Sequence, residues 1–258
     1  MPRHPQSPEA AAHFQRAATG DRALSHVEFA VGGKVVKLRD VAGSVWAARV
    51  LDEFAHGMYG LTALTFAPGD VAVDIGGHIG GVSVILATLH PEIRIVTFEP
   101  SSSNFAMLQA NLAANGITTV TPVQQAVMGR RGELTLTWTV HDTAAATIGL
   151  SDAARAGRES GGWSSETVPC VTLDDVFADH TITRCAWLKL DCEGAEWDIV
   201  AGTRVLERID RMAMELHLPI SRKAEGEQPV AEDFAKLVNR VAQPPAIVVS
   251  STVWILDR

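Results

Sequence analysis

The chain has 258 residues, 47% of them hydrophobic and 20% charged, which suits one substantial core and leaves too little for two full domains. With 30 acidic against 22 basic residues the formal net charge is −8, and no Lys/Arg cluster forms the stripe a phosphate backbone demands, so nucleic acid is not the expected partner. No apolar run approaches a bilayer span, and Cys170, Cys185 and Cys192 lack disulfide or zinc spacing, so the expectation is a soluble, cytoplasmic protein without membrane contact.

Met1 to Arg22 is polar, carries prolines and has no apolar h-region, which predicts a flexible segment over 1–22 ahead of a single domain over 23–258. Val45 to Phe54 is patterned as a helix able to cap a ligand. Val71 to Val73 reads as a strand running into Asp74, Ile75 and the turn Gly76-Gly77-His78-Ile79-Gly80-Gly81, with a helix over Ile79 to Leu89. Ile93 to Phe98 is a second strand ending at Glu99. Ser102 to Asn115 is a helix with serines 101 to 103 at its N-cap, Phe105, Leu108 and Leu112 on one face, and Gly116 as its stop. Val120 to Gln125 is a third strand. Leu134 to Trp138 alternates like a half-exposed strand, which predicts a hairpin beside the third strand at the sheet edge.

The segment at about 141–166 is rich in Ala, Ser and Gly and lacks periodicity, as a lid-like insertion would. Val168 to Val171 is a short strand, Leu173 to Phe177 a short helix, Ala186 to Leu190 a fourth main strand ending at Asp191, and Glu196 to Ala201 the next helix. Met212 to Leu216 is a fifth strand, Val230 to Val241 a helix, and Ala246 to Val249 with Val253 to Leu256 a closing hairpin. This alternation predicts a doubly wound α/β domain with a mostly parallel, seven-stranded sheet and an antiparallel C-terminal hairpin, a Rossmann-like arrangement of the class I methyltransferase type.

The spelling of the glycine turn bears on the cofactor. Dinucleotide sites usually read G-x-G-x-x-G from the strand end, whereas this strand ends in Asp74, whose carboxylate would repel a pyrophosphate and suit an ammonium group. Asp74-Ile75-Gly76-x-x-x-Gly80 therefore favours S-adenosylmethionine over NAD, and Glu99 is placed to hold ribose hydroxyls. The candidate cofactor residues are Glu53, Asp74, Gly76, Gly77, His78, Gly80, Glu99, Pro100, Ser101, Asn104, Gln125 and Ala126.

In an open parallel sheet ligands bind beyond the carboxyl ends of strands, where Asp74, Glu99, Asp191 and His217 all fall. Leu188-Lys189-Leu190-Asp191-Cys192-Glu193-Gly194-Ala195-Glu196 resembles the signature of FkbM-type methyltransferases. Thr172-Leu173-Asp174-Asp175, Met214-Glu215-Leu216-His217, the glycine turn and Phe98-Glu99-Pro100 sit where that family has its companion motifs, so the resemblance covers roughly Glu53 to Leu218. One departure is Gly77, where alanine is commoner, expected to loosen the turn. The resemblance implies S-adenosylmethionine-dependent methyl transfer to a hydroxyl of a sugar or secondary metabolite, free or carrier-bound, as in natural product biosynthesis.

Such a transfer is an in-line displacement that needs alignment and removal of the hydroxyl proton. The candidate catalytic residues are His217, Asp191, Glu193 and Glu215: His217 as base from its ordinary pKa near 6.5, with Asp191 orienting it. Lys189 reads as pairing with a carboxylate. A divalent metal on Asp191, Glu215 and His217 would serve the same chemistry, although no tight ligand spacing supports it. N- or C-methylation on the same scaffold, a non-catalytic cofactor-binding scaffold protein and an NAD-dependent oxidoreductase compete with this reading. The acceptor and the oligomeric state, a homodimer included, stay open.

Overall fold

Strands β1 (Leu24–Val31) and β2 (Lys34–Val41) form an antiparallel hairpin closed by Gly32 and Gly33, both at positive φ, as a two-residue turn between right-twisted strands demands. Phe29, Val31, Val36 and Leu38 point to its buried face. This hairpin was absent from the expected elements, although alternation around Gly32-Gly33 encodes it. The chain's computed structural model describes residues 24–139, 142–148, 163–217, 236–238, 246–250 and 253–257. The expected N-terminal segment 1–22 and most of the expected helix Val230–Val241 lie outside them, with 236–238 helical.

Helix α1 (Trp46–Ala55) and a 3₁₀ segment (Met58–Ala63) lead into β3 (Val71–Ile75), α2 (Gly81–Leu89), β4 (Arg94–Phe98), α3 (Ser102–Ala114), β5 (Val120–Val123) and β6 (Ala126–Met128). Then follow β7 (Gly132–Thr139), β8 (Asp142–Ile148), β9 (Trp163–Thr172), α4 (Leu173–Asp179), β10 (Trp187–Leu190), α5 (Glu196–Gly202), β11 (Arg211–Glu215), β12 (Ala246–Ser250) and β13 (Val253–Asp257). The parallel part of the main sheet is five strands wide, in the order β11-β10-β3-β4-β5. Beyond β11, β13 pairs antiparallel and β12 pairs antiparallel with β13. Strand order reverses between β3 and β10, and the carboxyl ends of the parallel strands open there.

Both faces of this sheet are covered, and alternate side chains divide between two cores. Ala72, Ile95, Trp187 and Ala213 pack with α1, α2 and the β1–β2 hairpin. Val73, Ile75, Val96, Leu188, Leu190 and Met214 pack with α4 and α5 on the opposite face. Helix α2 is buried from Gly81 to Ala87, because the sheet lies on one side of it and the N-terminal hairpin with α1 on the other. Asn111 on α3 and Asn115, its C-cap residue four positions on, grip β2. Asn111 Oδ1 accepts from Arg39 N (2.8 Å), Asn115 Oδ1 accepts from Lys37 N (2.9 Å), and their amides donate to the same residues' carbonyls (2.9 and 2.7 Å).

Three expectations are corrected. The strand over Leu134–Trp138 does not extend β5; as β7 it joins a separate sheet in the order β6-β9-β7-β8. Pro122 within β5 has no N–H to donate, a mark of an edge strand. The two ends of the stretch expected as an insertion at about 141–166 lie in β8 and β9, and 149–162 fall outside the described residues. Ser101 is the N-cap residue of α3, but its hydroxyl meets Ser103 Oγ (3.1 Å) instead of capping a backbone N–H.

Candidate functional site

The turn after β3 is stitched to the end of β4, since Gly76 N and Gly77 N both donate to Phe98 O (3.0 and 2.9 Å). Gly76 sits at φ +84, and a Cβ on it would lie 1.8 Å from Asp191 O, so only glycine lets the end of β10 touch this turn. Gly77 is equally constrained: a methyl there would meet Thr97 Cγ2 at 2.3 Å, so the departure tightens the packing instead of loosening it. His78 N donates to Glu99 Oε2 (2.8 Å), while Ser101 N (3.0 Å) and Asn104 Nδ2 (3.3 Å) donate to Oε1. Burial outweighs those hydrogen bonds and pushes the Glu99 carboxyl up to about 7. Above the turn, the Trp46 ring stands edge-on to His78 (5.5 Å) and Arg49 stacks on Trp46 (4.6 Å).

Asp74 does not face a ligand. It is fully buried, accepts from Ser83 Oγ (2.6 Å) and pairs with Lys189 Nζ (3.2 Å) across the β3–β10 register. Lys189 also donates to Gly76 O (2.8 Å), sits 3.5 Å from Asp191 Oδ2 and lies over the Tyr59 ring (5.4 Å). Burial opposes its charge, but the Asp74 and Asp191 carboxylates outweigh burial and hold the ammonium above its ordinary pKa. The ammonium that neutralises Asp74 thus comes from the neighbouring strand, as the pairing reading of Lys189 has it.

Across the opening stands an ionised wall. Tyr59, the chain's single tyrosine, donates from its hydroxyl to Asp191 Oδ2 (2.9 Å). Burial, then the charges of Asp191 and Glu215, raise its pKa far enough to keep it a phenol. His217 Nδ1 lies 3.1 Å from Glu196 Oε1, and Nε2 faces Glu193 Oε1 (3.7 Å) and Glu215 Oε1 (3.9 Å). Burial disfavours its charge, yet the hydrogen bond and charge of Glu196, then Glu193 and Asp191, raise the imidazole to about 9. The expectation of a base near 6.5 is therefore corrected: ringed by carboxylates, His217 is an imidazolium at neutral pH. Glu215 is raised by burial and by the Asp191 charge.

One cavity, with about 260 Å³ open to water centres, joins the two sides. Glu53, Gly76, Gly77, His78, Glu99, Pro100, Asn104, Gln125 and Ala126 line it, as do Asp191, Glu193, Glu215 and His217. Three expected cofactor residues do not: Asp74 is paired in the core, Gly80 is the N-cap of α2 against Leu108, and Ser101 supports Glu99 from behind. Unanticipated lining residues are Trp46, Arg49, Tyr59, and Leu134 and Leu136 from the second sheet. Of four non-glycine residues at positive φ among those described, Tyr59, His78 and Glu193 line the cavity, and such backbone strain clusters at working sites.

A glycine turn after the first strand of the parallel sheet, an acid after the second and a charged wall across the switch point define a Rossmann-like ligand-binding domain. The chain belongs to the FkbM methyltransferase domain family, whose profile matches residues 74–241. It is 28% identical over 175 residues to the 31-O-demethyl-FK506 methyltransferase FkbM of Streptomyces tacrolimicus, covering 58% of this chain and 66% of that protein. It is 27% identical over 152 residues to methyltransferase sdnD of Sordaria araneosa, covering 50% and 59%. Both matches span just under two thirds, or less, of the relative's own length. Among solved structures, TYW2 of M. jannaschii in complex with AdoMet aligns with a TM-score of 0.46 and 15% identity, over 92% of this chain and 85% of that one. Among the described residues, no helix is long and apolar enough to cross a membrane.

Proposed function

We propose that the protein is an S-adenosylmethionine-dependent O-methyltransferase acting on a hydroxyl of a small or carrier-bound metabolite. The observation that carries this is the pairing of unlike half-sites across one cavity: a backbone cradle ending in Glu99, and a wall of Asp191, Glu193, Glu215 and His217. The charge preference expected of Asp74 survives on other residues. Glu99, Asp191, Glu193 and Glu215 all border the cavity, a setting that repels a pyrophosphate and favours a ligand carrying sulfonium and ammonium charges.

The cradle fits the cofactor's nucleoside. The Gly76–Gly77 backbone admits close approach, and Glu99, fixed by three N–H donors, keeps lone pairs for ribose hydroxyls. Bound there, S-adenosylmethionine supplies an electrophilic methyl group on sulfur. The chain's remaining task is to align the acceptor oxygen and take its proton. Tyr59 and Lys189 occupy Asp191 Oδ2, and Glu196 holds His217, so these two groups orient the acceptor. Glu193, strained into the left-handed region at φ +58, takes the hydroxyl proton. Leu134, Leu136 and Met128, which pack with Ala126, give the cavity an apolar flank.

Calorimetric titration with S-adenosylhomocysteine and with NAD tests the cofactor, and mass spectrometry of hydroxylated metabolites incubated with labelled S-adenosylmethionine tests the reaction. Saturable binding of S-adenosylhomocysteine and label transfer to an oxygen are expected. Binding of NAD alone overturns the reading.

A further inference from the structure

The acceptor wall contains a donor set that chain spacing conceals. Asp191 follows β10, while Glu215 and His217 lie two residues apart at the end of β11, and these parallel neighbours deliver all three side chains to one edge of the cavity. Two carboxylate oxygens and one imidazole nitrogen, one ligand atom from each residue, lie within 4.8 Å of one another. Among the described residues, the Glu215 carboxylate has no side-chain hydrogen bond, only its ion pair with His217 Nε2 at 3.9 Å.

A second feature, outside that trio, points to the same use. Glu196 has no solvent exposure, yet its Oε1 lies 3.1 Å from His217 Nδ1 and is fixed from behind by Cys192 N–H (2.8 Å). Its Oε2 is also buried and, among the described residues, has no hydrogen-bond partner. A charge held inside the protein behind one ring nitrogen is expensive unless that ring has a use for it. A carboxylate there holds the hydrogen on Nδ1, so a cation that displaces the Nε2 proton gains that nitrogen as an outward ligand atom, which is how proteins support histidine on a metal. On the far side Tyr59 fixes Asp191 in the same manner (2.9 Å). Lys189 lies between Asp74 and Asp191 (3.2 and 3.5 Å), while the carboxylates of Glu193, Glu196 and Glu215 gather around His217 at 3.7, 3.1 and 3.9 Å.

We propose that Asp191, Glu215 and His217 bind a divalent cation of the oxygen-preferring class represented by Mg²⁺ and Mn²⁺, and that this cation holds the acceptor's hydroxyl oxygen. The proposal deepens the methyl-transfer reading and rests on it. Three protein ligands leave positions of an octahedral ion open to the acceptor oxygen and water. A hydroxyl held there loses its proton more easily, and the proton passes to Glu193. The oxygen lone pair then forms the new O–C bond as the methyl–sulfur bond breaks and its electrons return to sulfur.

The test uses Mn²⁺ added to the chelator-treated full chain and followed by electron paramagnetic resonance. One ion per chain is expected, with nitrogen hyperfine coupling from His217 visible in the unsubstituted protein. Asp191→Asn, Glu215→Gln and the supporting Glu196→Gln each weaken binding by about tenfold or more, while Glu133→Gln, an exposed carboxylate on β7, leaves it unchanged. Thermal melts of each variant separate a lost ligand from a lost fold. Absence of saturable binding, a signal without nitrogen coupling, or binding that survives Asp191→Asn with Glu215→Gln overturns the site. Methyl transfer at full rate in chelator, with S-adenosylhomocysteine still bound, overturns the cation's role and leaves the methyltransferase standing. Mn²⁺ binding without binding of S-adenosylhomocysteine overturns the cofactor reading and leaves the cation site.

Discussion

The two sides of the cavity are built from different materials. The donor side is largely backbone: Gly76, Gly77 and the N–H groups of His78 and Ser101, which together with Asn104 hold the Glu99 carboxylate. The acceptor side is side chains whose ionised groups hold one another: Tyr59 on Asp191, Glu196 on His217, Lys189 between Asp74 and Asp191. A backbone cradle suits a ligand of constant shape, since its geometry is written into the turn. A wall of mutually paired side chains can be retuned by one substitution.

Breaking the charge pair beneath both sides has the largest expected effect. Lys189→Met leaves Asp74 buried and unpaired, which costs about 3–5 kcal/mol, read as a lowered denaturant midpoint. Adding Asp74→Asn to that variant recovers much of the loss; no recovery means that Lys189 acts by packing alone. Next comes the acceptor side by itself: Glu193→Gln lowers methyl transfer by about a hundredfold. It leaves S-adenosylhomocysteine affinity at the wild-type value, and a parallel loss of cofactor binding would erase the proposed division of labour.

On the donor side, Glu99→Gln puts an amide NH₂ against backbone donors and weakens S-adenosylhomocysteine by about tenfold. The same residue gives the smallest effect, a pH dependence. Its carboxyl is pushed from 4.5 to about 7, so affinity falls a few-fold as pH drops through about 7 and the carboxylate gains a proton, a step absent from Glu99→Gln. Because the folded pKa lies above the unfolded one, Glu99 costs stability above pH about 7, and that cost fades as pH falls toward 4.5. The melting temperature of ligand-free Glu99→Gln, relative to wild type, therefore rises as pH goes from about 4.5 to about 7.

The same contrast explains what could be read from the chain. The donor turn is local in sequence, so Gly76, His78 and Glu99 were legible from one stretch and the next strand end. Strand ends also located Asp191 and His217, and Glu215 entered with the motif Met214-Glu215-Leu216-His217. Asp74 misled because the partner that neutralises it, Lys189, lies on a strand more than a hundred positions away and meets it only through the β3–β10 register. Tyr59 was illegible: it belongs to a 3₁₀ segment without periodicity, and only folding brings its hydroxyl to Asp191. The protonation of His217 also depended on tertiary contact, since Glu196 sits on the next helix and no spacing rule announces a buried carboxylate behind a ring.

Asn111 has a wider reach than its clasp on β2. Its amide also donates to Ile79 O (2.8 Å), inside the glycine turn, so a single side chain ties the N-terminal hairpin to the cofactor cradle. The family profile begins at residue 74, yet the hairpin and α1, all before that point, supply Phe29, Val31, Val36, Leu38, Val50 and Leu51 to the core around α2. The residues that the family profile matches and the residues that build this core thus have different bounds. A chain trimmed to residues 74–241 would lose the first three residues of β3, strip one side of α2 bare and leave two asparagines reaching for a strand that had been removed.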